Sequence, residues 1–117
     1  MKQKIKHFLT HYTPASLQKQ IKKIYYPFAL RKFDETRWPA SVIIKQLVRP
    51  GDCVVDVGAN IGYVTLLLSR WVGARGRVYS LEPVPDTFDI LQSNVRRVGL
   101  SNVYLYQCAL SSRDGQG

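Results

Sequence analysis

The stretch Asp56-Val-Gly-Ala-Asn-Ile-Gly62 sets two glycines four residues apart behind a carboxylate, between two apolar runs. Three uses fit such a loop: a phosphate cradle, a seat for a cofactor without phosphate, or a tight turn. A dinucleotide site shows G-x-G-x-x-G, with the pyrophosphate resting on a helix N-terminus. Here the spacing is G-x-x-x-G, and Asn60 stands where the middle glycine would be. The Gly-Lys-Ser/Thr of a Walker loop is absent as well, so the phosphate reading is weak. Asp56 lies inside an apolar run, and a buried carboxylate needs donors. The ammonium of an amino-acid-like ligand, or nearby loop N–H groups, would serve. Glu82 ends a second such run, where an acid can accept both hydroxyls of a ribose. A ligand with a ribose, no phosphate and a cationic amino-acid end fits both residues, and S-adenosylmethionine is such a molecule. The plainer alternatives are an Asp56 that serves only loop amides and a Glu82 solvated at a strand end.

Positioning these residues takes a strand before the loop and a helix after it. Residues 53–57, CVVDV, are nearly all apolar and read as a strand buried on both faces. Residues 62–72 read as a helix packed on a sheet, 73–76 as a turn, and 77–82 as a second strand. PVPD (83–86) breaks that strand. Residues 87–99 read as an amphipathic helix with Phe88, Leu91, Val95 and Val98 on one face and Gly99 as its C-cap. A third strand is expected over 102–110, and a polar turn over 111–117. The order βαβαβ implies parallel strands with right-handed crossovers. In such sheets ligands bind beyond the carboxyl ends of the strands, where the loop lies. Gly58 would let the backbone turn sharply, Gly62 would let the helix approach the strand, and Asn60 tolerates left-handed angles. The loop N–H groups are expected to point at the ligand.

Residues 1–36 read as a basic helical segment, followed by the domain over 37–117. Ile5, Phe8, Leu9 and Tyr12 form one helical stripe, and Leu17, Ile21, Ile24, Tyr25 and Phe28 a second. Thr13 suits an N-cap and Pro14 a first helical position. Pro27 is expected to end or kink the second helix. Pro39 suits the start of a third, with Val42, Ile43 and Leu47 as its apolar side. The net charge of +9 belongs to this end of the chain. Residues 1–50 hold eleven of the 17 Lys and Arg against Asp34 and Glu35, and 11 − 2 is the whole +9, while residues 51–117 hold six Arg and six acids. The basic segment therefore reads as a solvated face, a lid over an acceptor site, or a surface drawn to anionic lipid or nucleic acid. The charge balance around the loop argues against nucleic acid. His7 and His11 stand i, i+4, but no third ligand accompanies them, so a helix surface and no metal site are expected. Cys53 and Cys108 lie in apolar runs and read as buried free thiols of a reducing compartment. No apolar run reaches the ~18–20 residues of a membrane span, and no signal sequence is apparent. Cytoplasmic location is the expectation.

GDCVVDVGANIGYVTLLLSR and GRVYSLEPVPDTFDILQSNVRRVGLSNVYLYQCALSSRDG together resemble the FkbM family of S-adenosylmethionine-dependent methyltransferases, over about residues 50–117. The resemblance implies a class I methyltransferase, Rossmann-like α/β fold. It implies a cofactor loop of Asp56, Gly58, Ala59, Asn60, Gly62 and Tyr63, with Glu82 on the ribose hydroxyls and Pro83 fixing the chain after it. Cys108 and Ala109 would lie near the adenine. The implied reaction is O-methylation of a small molecule or glycan, with the catalytic residue unassigned. An RNA methyltransferase that uses the basic segment, or a non-catalytic module completed by a partner chain, are the alternatives. A class I sheet has more strands than the three counted here, so the chain is expected to be the cofactor-binding half. Its first strand would then leave an apolar edge open, and self-association or marginal stability is expected.

Overall fold

The computed structural model describes residues 2–115, with the side chains of residues 9 and 10 left aside; the stripe position Leu9 and the last two residues of the 111–117 turn fall outside what is described. Three parallel strands, β1 (Cys53–Val57), β2 (Arg77–Leu81) and β3 (Val103–Tyr106), pair in the order β1-β2-β3. The α/β expectation of a βαβαβ unit holds. The helix after β1, Tyr63–Val72, buries Thr65, Leu66, Leu67, Leu68, Ser69 and Val72, and ends at Gly73 (φ 67°). The helix after β2, Pro85–Val98, ends at Gly99 in the left-handed conformation. Four helices in chain order precede or cross these: α1 (Lys2–Tyr12), α2 (Ala15–Arg31), α3 (Ala40–Leu47) and, in the first crossover, α4 (Tyr63–Val72); the second crossover is α5 (Pro85–Val98). Leu68, Val72 and Val78 are the buried centre of a core to which Ile44, Val48, Val54, Trp71 and Val103 add.

Several expectations are corrected. β1 is buried on one face only: Val55 and Val57 remain 57% and 54% exposed. Among the described residues no element covers that face, because both crossover helices and α3 lie on the other. Both cysteines are free but exposed, Cys53 on the open face and Cys108 past the end of β3. β3 is shorter than expected. Pro27 neither ends nor borders α2: it sits buried inside the helix, which runs on to Arg31. Its ring removes one ladder hydrogen bond, yet the helix runs through it while α2 packs along α5. Pro14, not Thr13, is the N-cap residue of α2, and the Thr13 carbonyl accepts from Gln18 Nε2 at 2.9 Å. On α3 and its C-cap the packed positions are Ser41, Ile44 and Val48, while Val42, Ile43 and Leu47 face outward. The Ser41 hydroxyl donates to the Glu35 carbonyl at 2.8 Å, and the Glu35 carboxylate accepts from Lys45 and from Trp71 Nε1. Those bonds fix which side of α3 meets α4. On α5 the deepest residues are Ile90, Leu91 and Asn94, with Phe88, Val95 and Val98 half-buried.

α2 lies along α5. Lys19 contacts Asp86 and Asp89 at 3.0 and 2.7 Å, and Lys23 contacts Asp89 at 2.9 Å. The two ammonium groups hold the Asp89 carboxyl below its usual range.

Candidate functional site

β1 ends at Val57 and the chain reverses through Gly58 (φ 74°), Asn60 (φ 52°) and Gly62 (φ 108°). The left-handed turns expected at Gly58 and Asn60 are present. Gly62 has a different neighbour from the one expected: a Cβ there would come within 3.0 Å of Leu91 Cδ1. It therefore admits α5, rather than easing the approach of a helix to the strand.

The loop N–H groups do not point outward, against expectation. Gly58 N and Ala59 N both donate to the Leu81 carbonyl at 2.9 Å, and Gly62 N donates to Ala59 O at 3.0 Å. Asn60 N donates to Glu82 Oε2 at 2.9 Å. These four donors are taken up within the loop and the end of β2. Those four amides are not offered to a phosphate, which agrees with the reading of the spacing.

Glu82 is the knot of the site. It is 6% exposed, not solvated at a strand end. Its backbone N–H donates to Tyr106 O, its Oε2 accepts from Asn60 N and its Oε1 from Val84 N at 3.0 Å. One carboxylate thus ties the β1 loop, the β2 exit and the start of α5. Each oxygen keeps a second lone-pair direction.

Asp56 is buried on the covered face, where a side chain of α4 donates to it. Thr65 Oγ1, on α4, donates to Asp56 Oδ2 at 2.7 Å and lies 2.8 Å from Ser80 Oγ. Register sets Ser80 beside Asp56 across β1 and β2. Burial pushes the Asp56 carboxyl above its ordinary value, and the Thr65 hydroxyl partly offsets this. Thr65, Ser80 and Asn94 were not singled out from sequence. Their signal was a small polar residue inside an apolar run. Asn94 Nδ2 donates to Ile61 O at 2.8 Å, which pins the loop from beneath. Its Oδ1 is buried without a partner among the described residues.

Tyr63 follows the loop directly and is half-buried. Its ring lies 4.7 Å from that of Phe33. Burial, then the neighbouring Tyr25 and Tyr26, push its hydroxyl pKa up. A cavity of about 660 Å³ opens there, with Lys2, Lys6, Lys22, Tyr25, Tyr26 and Tyr63 in its wall. The basic segment therefore reaches the loop.

The structure thus gathers Asp56, Gly58, Ala59, Asn60, Gly62, Tyr63 and Glu82 at one end of β1 and β2. Pro83 is exposed just beyond Glu82. Cys108 and Ala109 are exposed past β3, and Cys108 N turns back to Tyr106 O. His7 and His11 stack on each other at 4.1 Å on α1. Among the described residues no group of three or more His, Cys, Asp or Glu could hold a metal, and no helix is long and apolar enough to cross a membrane.

The sequence model of the TRM5/TYW2 methyltransferase domain matches residues 15–108. A protein-L-isoaspartate O-methyltransferase of Aeropyrum pernix is 38% identical over 55 residues, 47% of this chain and 21% of that protein. The protein of the same name from Methanocella arvoryzae is 32% identical over 50% of this chain and 31% of its own. A SAM-dependent methyltransferase structure from Aquifex aeolicus superposes with a TM-score of 0.58 at 26% identity, over 70% of this chain and 46% of that one. The fold is the class I, Rossmann-like methyltransferase fold. The chain spans about a fifth to a third of the curated relatives it matches. The motifs resembled the FkbM family, whereas the family that matches is TRM5/TYW2.

Proposed function

The chain belongs to the TRM5/TYW2 methyltransferase domain family, and from that premise we propose that it carries the S-adenosylmethionine-binding half of a methyltransferase. One observation carries the reading. Glu82 is buried and held by two loop amides at the strand ends, with both oxygens still able to accept a pair of ribose hydroxyls. The inward-turned loop amides suit a ligand without phosphate. Asp56, fixed by Thr65, supplies the negative charge that a cationic amino-acid end needs. Such a cofactor supplies an electrophilic methyl group to an acceptor. The chain's own part is to bind and orient, and positioning alone removes much of such a barrier.

The acceptor we propose is a hydroxyl or carboxyl oxygen of a small molecule or glycan. Support comes from the O-methyltransferase relatives and from the zero net charge of residues 51–117. A second reading, an RNA acceptor, is favoured by the cavity beside Tyr63, where lysines and tyrosines alternate. Calorimetric titration with S-adenosylmethionine and S-adenosylhomocysteine tests the cofactor assignment. A folded chain that binds neither defeats it. Glu82→Ala is expected to lose most of the affinity; if it binds as tightly as wild type, the ribose assignment falls. A salt-dependent gel shift with single-stranded RNA, weakened by Lys22→Ala, would favour the second reading.

A further inference from the structure

The inner side of α2 is occupied. Lys19, Lys23, Pro27 and Leu30 recur at i, i+4, i+8 and i+11 and face α5 or the buried interior. The outer side is not. Leu17, Ile24 and Phe28 recur at i, i+7 and i+11, and Ile24 and Phe28 are 63% and 64% exposed. α1 repeats the feature with Phe8 and Tyr12, both more than half exposed, and Ile5, also exposed, lines the cavity beside Tyr63. Two adjoining helices thus turn large apolar stripes to solvent while their polar positions carry lysine.

The charge around these stripes has one sign. Lys2, Lys4, Lys6, Lys19, Lys22, Lys23, Arg31 and Lys32 are the charged side chains of residues 1–33, and no Asp or Glu is among them. Lys19 and Lys23 are matched by Asp86 and Asp89. Of the other acids in residues 51–117, Asp52, Asp56 and Glu82 are engaged in local hydrogen bonds. Residues 1–33 therefore carry a positive excess of charge.

A basic helix with exposed Phe, Leu and Ile is the composition of a segment that lies in a membrane interface, its apolar side sunk among acyl chains and its lysines on anionic headgroups. RNA would use the lysines and tyrosines, but it gives no role to Leu17, Ile24 and Phe28. We propose that the outer face of α1 and α2 docks the domain on an anionic lipid bilayer, with the β1–α4 loop held next to the surface through Tyr63 and the α2–α5 clasp. The seat is peripheral, since no described helix can span a membrane.

Flotation of the 117-residue chain with vesicles of phosphatidylcholine, with and without phosphatidylserine, tests the proposal; aggregated protein stays at the bottom of the gradient. The chain is expected to float with the phosphatidylserine vesicles and to be released by high salt. Phe8→Ser with Phe28→Ser removes two exposed rings and is expected to cut partitioning at least about tenfold, with the thermal midpoint near that of wild type. Lys2→Glu with Lys4→Glu is expected to weaken it comparably. Equal flotation on neutral vesicles, no flotation, or flotation unaffected by both double substitutions would overturn the proposal. So would salt-dependent RNA binding in a chain that ignores lipid.

Discussion

The two faces of the sheet are made by alternating residues of the same three strands, and they have opposite surroundings. On the face under α4, Asp56, Val78 and Ser80 are buried. On the other, Val55, Tyr79 and Tyr104 form one row, and Val57, Leu81 and Tyr106 the next. Val55, Val57, Tyr104 and Tyr106 are exposed, and the rings of Tyr79 and Tyr104 stack at 5.4 Å. A carboxylate and a hydroxyl are thus inside beside Val78, while Val55 and Val57 are outside. Burial here follows the helices, not hydropathy. The polar groups of the covered face are fixed because each has a partner there, which is what a binding site needs.

The largest effect that separates the faces should come from core truncation. Leu91→Ala, beneath Gly62 and fully buried, is expected to cost about 2 to 5 kcal/mol in chemical denaturation. Val55→Ser on the open face, measured on dilute monomeric chain, should stay within about 0.5 kcal/mol. Equal costs there would mean that the open face is covered within the monomer. Next comes Thr65→Val, which keeps the shape and removes the hydroxyl shared by Asp56 and Ser80. It is expected to cost about 1 to 3 kcal/mol and to raise the Asp56 pKa further.

That substitution also has a sign in pH. Asp56 titrates above its ordinary value in the folded chain because burial disfavours its charge. Ionising it therefore costs stability as pH rises through the window between its unfolded and folded pKa. A cationic ligand needs the charge, so affinity for S-adenosylmethionine should fall on acidification through the raised pKa. In Thr65→Val the fall should begin at higher pH. An unchanged calorimetric pH profile would remove Asp56 from the site.

Association sharpens the comparison further. The open face beside the free β1 edge should drive self-association, and Val55→Lys with Val57→Lys should shift sedimentation towards monomer. A monomeric wild type with a high, cooperative melting transition would overturn that expectation. The smallest effect belongs to the clasp. Asp89 is held below its usual pKa by Lys19 and Lys23. Its contribution is present above the unfolded value and is lost as pH falls through the folded one. Asp89→Asn should raise amide exchange in α2 at neutral pH and leave β2 protected.

Much of the fold was legible in the chain. The apolar runs at 53–57 and 77–81, the Gly99 stop and the G-x-x-x-G turn each carry a local physical signature, and each forms near its expected bounds. The site was legible in part. Asp56 and Glu82 stood out because acids in or at the end of apolar strands demand partners. Thr65, Ser80 and Asn94 did not, because a hydroxyl or amide within an apolar run has many local uses. Only the pairing register and the crossover helices decide which partner it meets.

By itself the sequence determined the βαβαβ order, the left-handed turn at Gly58 and Asn60, the concentration of charge in residues 1–50 and a loop unsuited to phosphate. These depend on backbone sterics, period and composition, which act over a few residues. The tertiary structure alone decided which face of β1 is covered, that the loop amides turn inward to Leu81 and Glu82, that Pro27 stays within α2, and that Val42, Ile43 and Leu47 look outward. Those outcomes depend on contacts between segments 20 or more residues apart, such as Asn60 with Glu82 and Trp71 with Glu35. An apolar residue carries the same hydropathy whether or not a helix arrives to cover it.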